Sequence, residues 1–589
     1  MTVIDSATLE RRQTRIVSDV LRDVPGVAVS RIGAVGGQTQ VRIRGSESNH
    51  VLVLIDGIEA ADPFQGEYDF AALIAEPAAR IEVLRGQQSS LYGSDAIGGV
   101  ISYTTLTGRE APGYSARLEG GSFGTISGAA RAAGAAGDFD YALSASYHGT
   151  NGYPTARGGS RDVGSDSGGA NGKFNWTPGE TFKLTGVLRF SHIDADTNNS
   201  EFDTASPLFG YTVDSPGVRY TNRALYGLLS AQLSALDGRW TNTLSGQFAD
   251  TERKGYTSFG FDYGDKGRRY KGSFTSSLTL GDEALIHRIT AAADLERETF
   301  RNLTSFAFQG QRHTDNLGLV GQYELIGETL SLGASVRYDD NDRFDDATTW
   351  RVQGSYRLPT GTRLRAAYGT GVKNPGYFEL YGYIDGRYIG NPDLRPEKSK
   401  GWEVGIEQGF GIDNWATVGA TYFDSKLTNE IYTDYPPPNF DATPANRTTD
   451  SKQHGIEIFA SAHPIPQLRF DLAYTWLKSK ENGVAETRRP RHVASVNATV
   501  MSADQRLAGT LTLRYHGRTT DNAYTDPSYV PVTVSMRDYV LMNLALDYRV
   551  SGGISIFGRV ENLLGQEYEE VFSFATPGRA AYGGVRLSF

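Results

Sequence analysis

Four groups of residues in this sequence have types and spacings that bear on chemistry. Gly120-Gly-Ser-Phe-Gly124 matches the G-x-S-x-G pattern of serine hydrolases, which needs a strand–turn–helix context to expose its serine. Here it lies in alternating, Gly-rich β sequence, so a nucleophile is not expected. The 9 His are scattered, with no H-E-x-x-H, and with 0 Cys there is no thiolate for a zinc site. Catalysis is therefore not expected, and binding groups remain. Asp162, Asp166, Asp194, Asp196 and Asp203 crowd a polar stretch. Hard oxygen ligands in a loop suit calcium, and acidic loops are also simply soluble. Arg44 and Arg85 end short apolar runs, while Glu397 and Glu403 lie far downstream.

The elements that must position these groups follow two grammars. Residues 1–110 hold five aromatics, Phe64, Tyr68, Phe70, Tyr92 and Tyr103, against 6 Trp, 32 Tyr and 27 Phe in the whole chain. The aromatic fraction more than doubles beyond residue 110, which puts a boundary near 108–112. After it, apolar and polar residues alternate with a period of two. Phe182, Leu184, Gly186, Leu188 and Phe190 alternate with Lys183, Thr185, Val187 and Arg189. Runs at 468–476, 507–515 and 540–548 do the same. Each is about 9–11 residues, the length a tilted strand needs to cross a bilayer, whereas soluble sandwich strands are nearer five or six.

The 589-residue chain has mean hydropathy −0.38 and no apolar run long enough for a membrane-spanning helix. Alternating barrel strands average out in such a measure, so a transmembrane β-barrel is allowed. Taking about 21–22 residues per strand and connection, residues 112–589 give about 22 antiparallel strands. A lumen of that size needs a plug. Residues 192–219, 376–397, 433–452 and 517–537 read as outward loops, and 464–467 as a short periplasmic turn. The last residues, Tyr582-Gly-Gly-Val-Arg-Leu-Ser-Phe589, place Val585, Leu587 and Phe589 on one face. That resembles the terminal strand signal of outer-membrane barrels. With 69 Gly and no Cys, the composition fits a chain that turns often and crosses an oxidising periplasm without thiols. Net charge is −10 without a basic stripe, so nucleic acid is not an expected partner.

Residues 1–106 read as a small α+β domain. A short helix is predicted over 16–24, stopped by Pro25-Gly26. Val51-Leu-Val-Leu-Ile55 reads as a buried strand closed by Asp56-Gly57, and 81–84 as another. No secretion signal is legible in MTVIDSATLERRQ, and the expectation is that the leader is trimmed away.

Five motifs occur in order: Asp19-Val-Leu-Arg-Asp-Val-Pro-Gly26, Val41-Arg-Ile-Arg-Gly45, Val51-Leu-Val-Leu-Ile-Asp-Gly57, Ile81-Glu-Val-Leu-Arg-Gly86 and Ser89-Ser-Leu-Tyr-Gly-Ser-Asp-Ala-Ile-Gly-Gly-Val-Ile101. They resemble the plug domain of TonB-dependent outer-membrane receptors. Gly390-Asn-Pro-Asp-Leu-Arg-Pro-Glu397, Trp402-Glu403, His454-Gly-Ile-Glu457 and Val560-Glu-Asn-Leu-Leu564 resemble that family's barrel. Ser48-Asn-His-Val-Leu-Val-Leu-Ile-Asp-Gly57 and residues 92–100 look most like the vitamin B12 receptor branch.

The resemblance implies an integral protein of the Gram-negative outer membrane, in contact with its lipid and lipopolysaccharide. It implies active import of a scarce nutrient, driven by TonB with ExbB and ExbD through an N-terminal box. That box is not found here and is expected upstream of residue 1; without it the chain is expected to bind ligand but not to transport it. A cobalamin-like corrinoid is the leading substrate. Ferric siderophores and other small organics, such as aromatics or sugars, are the alternatives, and a passive porin is the reading from another class. Arg44, Arg85, Glu397 and Glu403 are expected to form a releasable plug–barrel lock, because matching residues pair in the family. Ligand is expected to meet the outward plug loops 31–39 and 59–69 through Gln38, Thr39, Asp62, Phe64, Gln65 and Tyr68. No cofactor is required. B12 receptors place calcium-binding aspartates in early loops, so structural calcium at the five aspartates is a further expectation.

Overall fold

The computed structural model describes residues 1–304, 309–384, 388–411, 413–438, 441–528 and 530–589. The expected loops 376–397, 433–452 and 517–537 therefore include positions (385–387, 439–440 and 529) outside the described residues. Among the described residues no helix is long and apolar enough to cross a membrane, which says nothing of strands.

The N-terminal part folds around a five-stranded mixed sheet. Its order is Thr2–Ile4, Ala79–Arg85, Gly99–Thr105, Val51–Ile55, Ile58–Glu59. Only Val51–Ile55 and Gly99–Thr105 run parallel. A separate hairpin joins Val27–Arg31 to Thr39–Ile43. The helix predicted over 16–24 is shorter, Val17–Leu21, since Val24 already leads into the Pro25-Gly26 turn. Val17, Leu21, Val53, Ile81, Val83 and Tyr103 form the core, and every one is almost fully buried. That core continues into the surrounding wall through Val187, Ala224 and Tyr226.

The wall is a closed antiparallel barrel of 22 long strands, from Gly113–Gly121 to Ala580–Ser588, with a two-residue extension at Val484–Ala485. The last strand closes on the first, Leu587 opposite Ala116 and Val585 opposite Leu118. Strands reach 22 residues in Gly260–Gly281, well beyond what a bilayer requires. Strand connections are short at one end, as at 466–467, and long at the other, as at 197–218. By the usual asymmetry the long ones face outward.

The period-two pattern divides lipid from lumen. In Phe182–Asp196, Leu188 and Phe190 face out while Val187 and Arg189 are buried inside. Phe470 and Leu472 face out while Ala473 and Thr475 face in. Phe139, Trp176, Trp240, Phe410, Trp415 and Tyr548 are exposed near the short-turn end, which places an aromatic girdle there.

Leu229 lies mid-strand on the lipid face with 59% of its surface exposed. Leu229→Arg is expected to destabilise the folded barrel in lipid by about 2–4 kcal/mol. Equilibrium folding into phosphatidylcholine vesicles checks this; an unchanged midpoint would place position 229 away from hydrocarbon.

Candidate plug–barrel lock and outward face

The lock begins with two sharp turns. Strand Thr39–Ile43 ends at Arg44 with φ of 54°, followed by Gly45 with φ of 83°. The left-handed pair aims the Arg44 side chain at the wall. Strand Ala79–Arg85 ends at Gly86 with φ of 81°. Both arginines converge on Glu457, buried on strand Ser451–Ile465. Arg44 grips it bidentately, Nε to Oε1 at 2.8 Å and Nη2 to Oε2 at 3.0 Å. Its third nitrogen donates to Glu403 Oε2 at 2.6 Å. Arg85 Nη1 donates to Glu457 Oε2 at 3.1 Å and to the Pro25 carbonyl at 2.9 Å. The Arg44 guanidinium also lies 4.5 Å from the centre of the Phe423 ring, a cation–π contact.

The Pro25-Gly26 turn has a specific role here. A Cβ on Gly26 would stand 2.1 Å from Glu457 Oε1, and Gly26 has φ of 81°. Only glycine supplies both the left-handed conformation and the space for the carboxylate. The Gly26 N–H is held by Thr475 Oγ1 at 2.7 Å.

Three of the four expected lock residues thus meet, and the fourth does not join them. Glu397 pairs instead with His50 of the N-terminal domain, Oε2 to Nε2 at 2.7 Å, and accepts from the Ile431 N–H at 2.7 Å. The reason is register. Glu397 opens its strand and lies six residues above Glu403, so it faces the lumen at a higher level. Glu457, quoted in the His454-Gly-Ile-Glu457 motif, takes the central place instead.

The same chemistry recurs around the inner wall, where sequence reasoning did not find it. Arg15 Nε meets Glu119 at 3.0 Å, and Asp23 binds Arg514 at 2.7 Å. Arg22 meets Glu570 at 2.9 Å, Asp56 meets Lys173 at 3.1 Å and Asp95 meets Lys373 at 3.3 Å. Each joins the N-terminal domain to the barrel. The available signal was charge at inward positions of the alternating runs, such as Lys173 and Arg514, but their partners lie 117 and 491 residues away.

The residues expected at the outward tips are all engaged. Gln38 Nε2 donates to Glu67 at 2.8 Å, and the Thr39 N–H donates to Asp69 at 2.9 Å. Asp62 accepts from Thr251 Oγ1 at 3.2 Å, and Gln65 Oε1 accepts from Arg253 Nη1 at 2.7 Å. Phe64 is buried in an aromatic stack, its ring 4.9 Å from Phe300, which lies 5.3 Å from Tyr377. Tyr68 is buried against Phe70 at 5.1 Å. The Phe64 carbonyl accepts from the Phe378 N–H at 2.8 Å. The outward loop carrying helix Tyr377–Tyr381 is therefore seated directly on the plug tip.

The five aspartates are not gathered into one site. Asp162 and Asp166 lie in strand Asp162–Trp176, and Asp194 and Asp196 in Phe182–Asp196. These strands outrun the bilayer, so four positions expected in loops are held on rigid β structure. Asp194 pairs with Arg219 at 2.7 Å, Asp196 with Arg161 at 3.1 Å, and Asp166 accepts from the Tyr147 hydroxyl. Asp203 caps a loop turn by accepting from the Ala205 N–H at 2.9 Å. Among the described residues, the grouping close enough for one ion is His313, Asp315 and Asp342, and Asp315 already takes Arg297 at 2.5 Å. The G-x-S-x-G segment is a tight turn between two strands, and Ser122 Oγ accepts from the Ala581 N–H at 2.9 Å.

Against known proteins, a model described as the TonB-dependent receptor plug domain matches residues 1–100. A model described as TonB dependent receptor-like, beta-barrel matches residues 102–563. Among solved structures, the siderophore receptor PirA from Acinetobacter baumannii is 18% identical with a TM-score of 0.82, over 100% of this chain and 98% of that one. A point mutant of the ferric enterobactin receptor PfeA from Pseudomonas aeruginosa is 17% identical with a TM-score of 0.83, over 100% and 98%. The siderophore receptor PiuA from Acinetobacter baumannii is 15% identical with a TM-score of 0.79, over 100% and 96%.

The lock and the His50–Glu397 pair can each be tested. Glu457→Ala leaves two buried guanidiniums short of a carboxylate and is expected to weaken plug retention by about 3–5 kcal/mol. The urea midpoint for loss of amide protection at residues 41–44 measures it, and a midpoint within error of wild type would sink the lock. For His50, burial opposes the charged form, but the Glu397 carboxylate beside it raises the pKa above the ordinary value. A raised pKa means stability fully present below about pH 6.5 and lost as pH climbs through the folded-state pKa. The wild type should thus lose protection at 48–50 as pH rises above about 6.5, and His50→Gln should not; identical profiles would refute the charged pair.

Proposed function

Because this chain belongs to the TonB-dependent receptor family, we propose that it is an importer of the outer membrane whose plug is released by a pull on its N-terminal edge. One observation carries the mechanical reading. The first strand, Thr2–Ile4, is the edge of the plug sheet and pairs with Ala79–Arg85, Thr2 opposite Val83 and Ile4 opposite Ile81. Arg85 Nη2 also donates to Thr2 Oγ1 at 3.2 Å. A force on the chain start therefore loads, through a short ladder, the strand that ends in the lock arginine. Short ladders at an edge open at lower free energy than the core. The outer membrane holds no nucleotide pool, and coupling to TonB supplies the force. The domain division at about residues 106–112 and the lock of Arg44 and Arg85 with Glu403 and Glu457 belong to this proposal.

The substrate we favour is a ferric siderophore of anionic, aromatic character. Arginine–tyrosine pairs ring the outward loops: Arg343 lies 5.4 Å from the Tyr381 ring, Arg447 lies 4.3 Å from Tyr432, and Arg157 lies 5.4 Å from Tyr211. Such surfaces stack on aromatic chelating groups and neutralise their charge. The siderophore and enterobactin receptors of the same fold support this reading. The motif resemblance of residues 48–57 and 92–100 supports a corrinoid as the second. In this account the plug tips reach ligand only after helix Tyr377–Tyr381 lifts from Phe64.

Thermal shift of the purified protein with ferric catecholate, ferric hydroxamate and cyanocobalamin separates the two. The expected result is stabilisation of at least about 2.7 kcal/mol by a ferric catecholate at a hundredfold excess over Kd. A shift with cyanocobalamin alone would overturn the siderophore reading.

A further inference from the structure

At the outward end of the barrel's lipid-facing surface, four lysines stand side by side on four consecutive strands. Lys400 lies opposite Lys426, Lys426 opposite Lys452, and Lys452 opposite Lys480. Lys398 and Lys478 flank this row on the same outer face, and His454 lies opposite Lys478. One step toward the membrane the surface turns aromatic and aliphatic. Trp402 and Tyr422 have ring centres 5.3 Å apart, and His454 and Trp476 are 5.7 Å apart. Val404 and Ile456 lie exposed in the same band. The lysines thus sit at headgroup height, directly above the hydrocarbon band.

This arrangement sets like charges side by side across four strands. Like charges directly opposite on neighbouring strands destabilise a sheet. At several other places on the outward rim bases meet acids: Arg268 binds Asp250 at 2.6 Å, Arg219 binds Asp194 at 2.7 Å and Arg297 binds Asp315 at 2.5 Å. Where Lys266 faces Arg301, Lys266 also takes Asp250 at 3.3 Å. In the lysine sector Lys426 pairs with Asp450 at 2.5 Å, and Asp424 is the other acid on this face. Among the described residues Lys398, Lys400, Lys452, Lys478 and Lys480 have no ion-pair partner. Six ammonium groups against two carboxylates leave a local excess of positive charge on a chain whose net charge is −10.

We propose that this face, built on strands Glu397–Phe410, Ala416–Thr428, Ser451–Ile465 and Leu468–Glu481, is a docking site for the phosphate groups of an outer-leaflet glycolipid. The position selects a lipid over a soluble anion, because the ammonium groups sit above an aromatic and aliphatic wall that acyl chains cover. Phosphate is the fitting group, since lysine binds it as a flexible point charge and several lysines at strand spacing surround one diphosphorylated headgroup. The bound lipid would remove the lysine–lysine repulsion and hold this sector of the wall, which also carries Glu403 and Glu457 on its inner face.

The test titrates the purified full chain in detergent with bisphosphorylated lipid A, reading binding by microscale thermophoresis. Lys400→Gln, Lys452→Gln, Lys478→Gln and Lys480→Gln together are expected to weaken binding at least about tenfold, from the surface-charge attraction of each lysine. A control removing four charges at the short-turn end (Lys183→Gln, Arg239→Gln, Arg506→Gln and Arg549→Gln) should bind as wild type does. Dephosphorylated lipid A should bind wild type as weakly as bisphosphorylated lipid A binds the lysine variant. The substituted side chains face outward, and heat-modifiable gel migration verifies that each variant is folded. Equal losses in both variants would overturn the site. Phosphatidylglycerol binding as tightly as lipid A would overturn the glycolipid assignment.

Discussion

Under the proposed function the structure depends on a wet-to-dry contradiction: a plug must fill a wide lumen firmly enough to seal it and loosely enough to leave. Buried arginine–carboxylate pairs resolve it. Each charge costs desolvation when the plug seats, and the pair attraction offsets that cost, so the net gain of an intact pair is small. Removing one partner alone is costly, which gives registration and specificity. Withdrawing the whole plug returns both charges to water, and their hydration recovers much of the lost attraction. A purely apolar interface of the same area would expose hydrophobic surface at about 25 cal/mol per Å² instead. The ring from Arg15–Glu119 through Asp23–Arg514 to Arg44–Glu457 is built on this principle.

The backbone geometry serves these pairs. Gly26 leaves the space that Glu457 fills, and the Arg44-Gly45 turn sends the side chain to the wall instead of back along its hairpin. At the outer end, Phe64 ties the plug tip to a surface loop through the Phe300 and Tyr377 stack. The outward plug tip and the Arg44–Glu457 pair are thus joined through the buried plug core between them.

Much of the fold was legible in the sequence, because alternation and run length are local signals. Runs such as 182–190 and 468–476 report a barrel from one strand at a time, and summing them gives its size. Residues 48–57 reported their own strand for the same reason. The lock was legible in part. Arg44, Arg85 and Glu403 came from motif resemblance, whereas Glu397 meets the plug at His50 and not at the two arginines, because register along a strand sets height in the lumen and no local pattern encodes it. The loop placement of four aspartates departs from the structure for a related reason: strands extend past the bilayer, so polar composition at 192–196 looked like loop. Phe64 and Tyr68 looked available on a polar loop, yet aromatic side chains at a tip find neighbours, and those of Phe64 come from far downstream, Phe300 and Tyr377. Reading position alone cannot supply contacts made by other strands.

The central claim is that a sealed barrel opens by loss of the plug's ionic contacts while the wall stays folded. Conductance of the purified protein in a planar bilayer tests it most directly. The account predicts a nearly closed protein that opens reversibly in urea at concentrations leaving the barrel's β signal intact, and closes again on dilution. A channel open without denaturant, or one that opens only as the barrel itself unfolds, would contradict it.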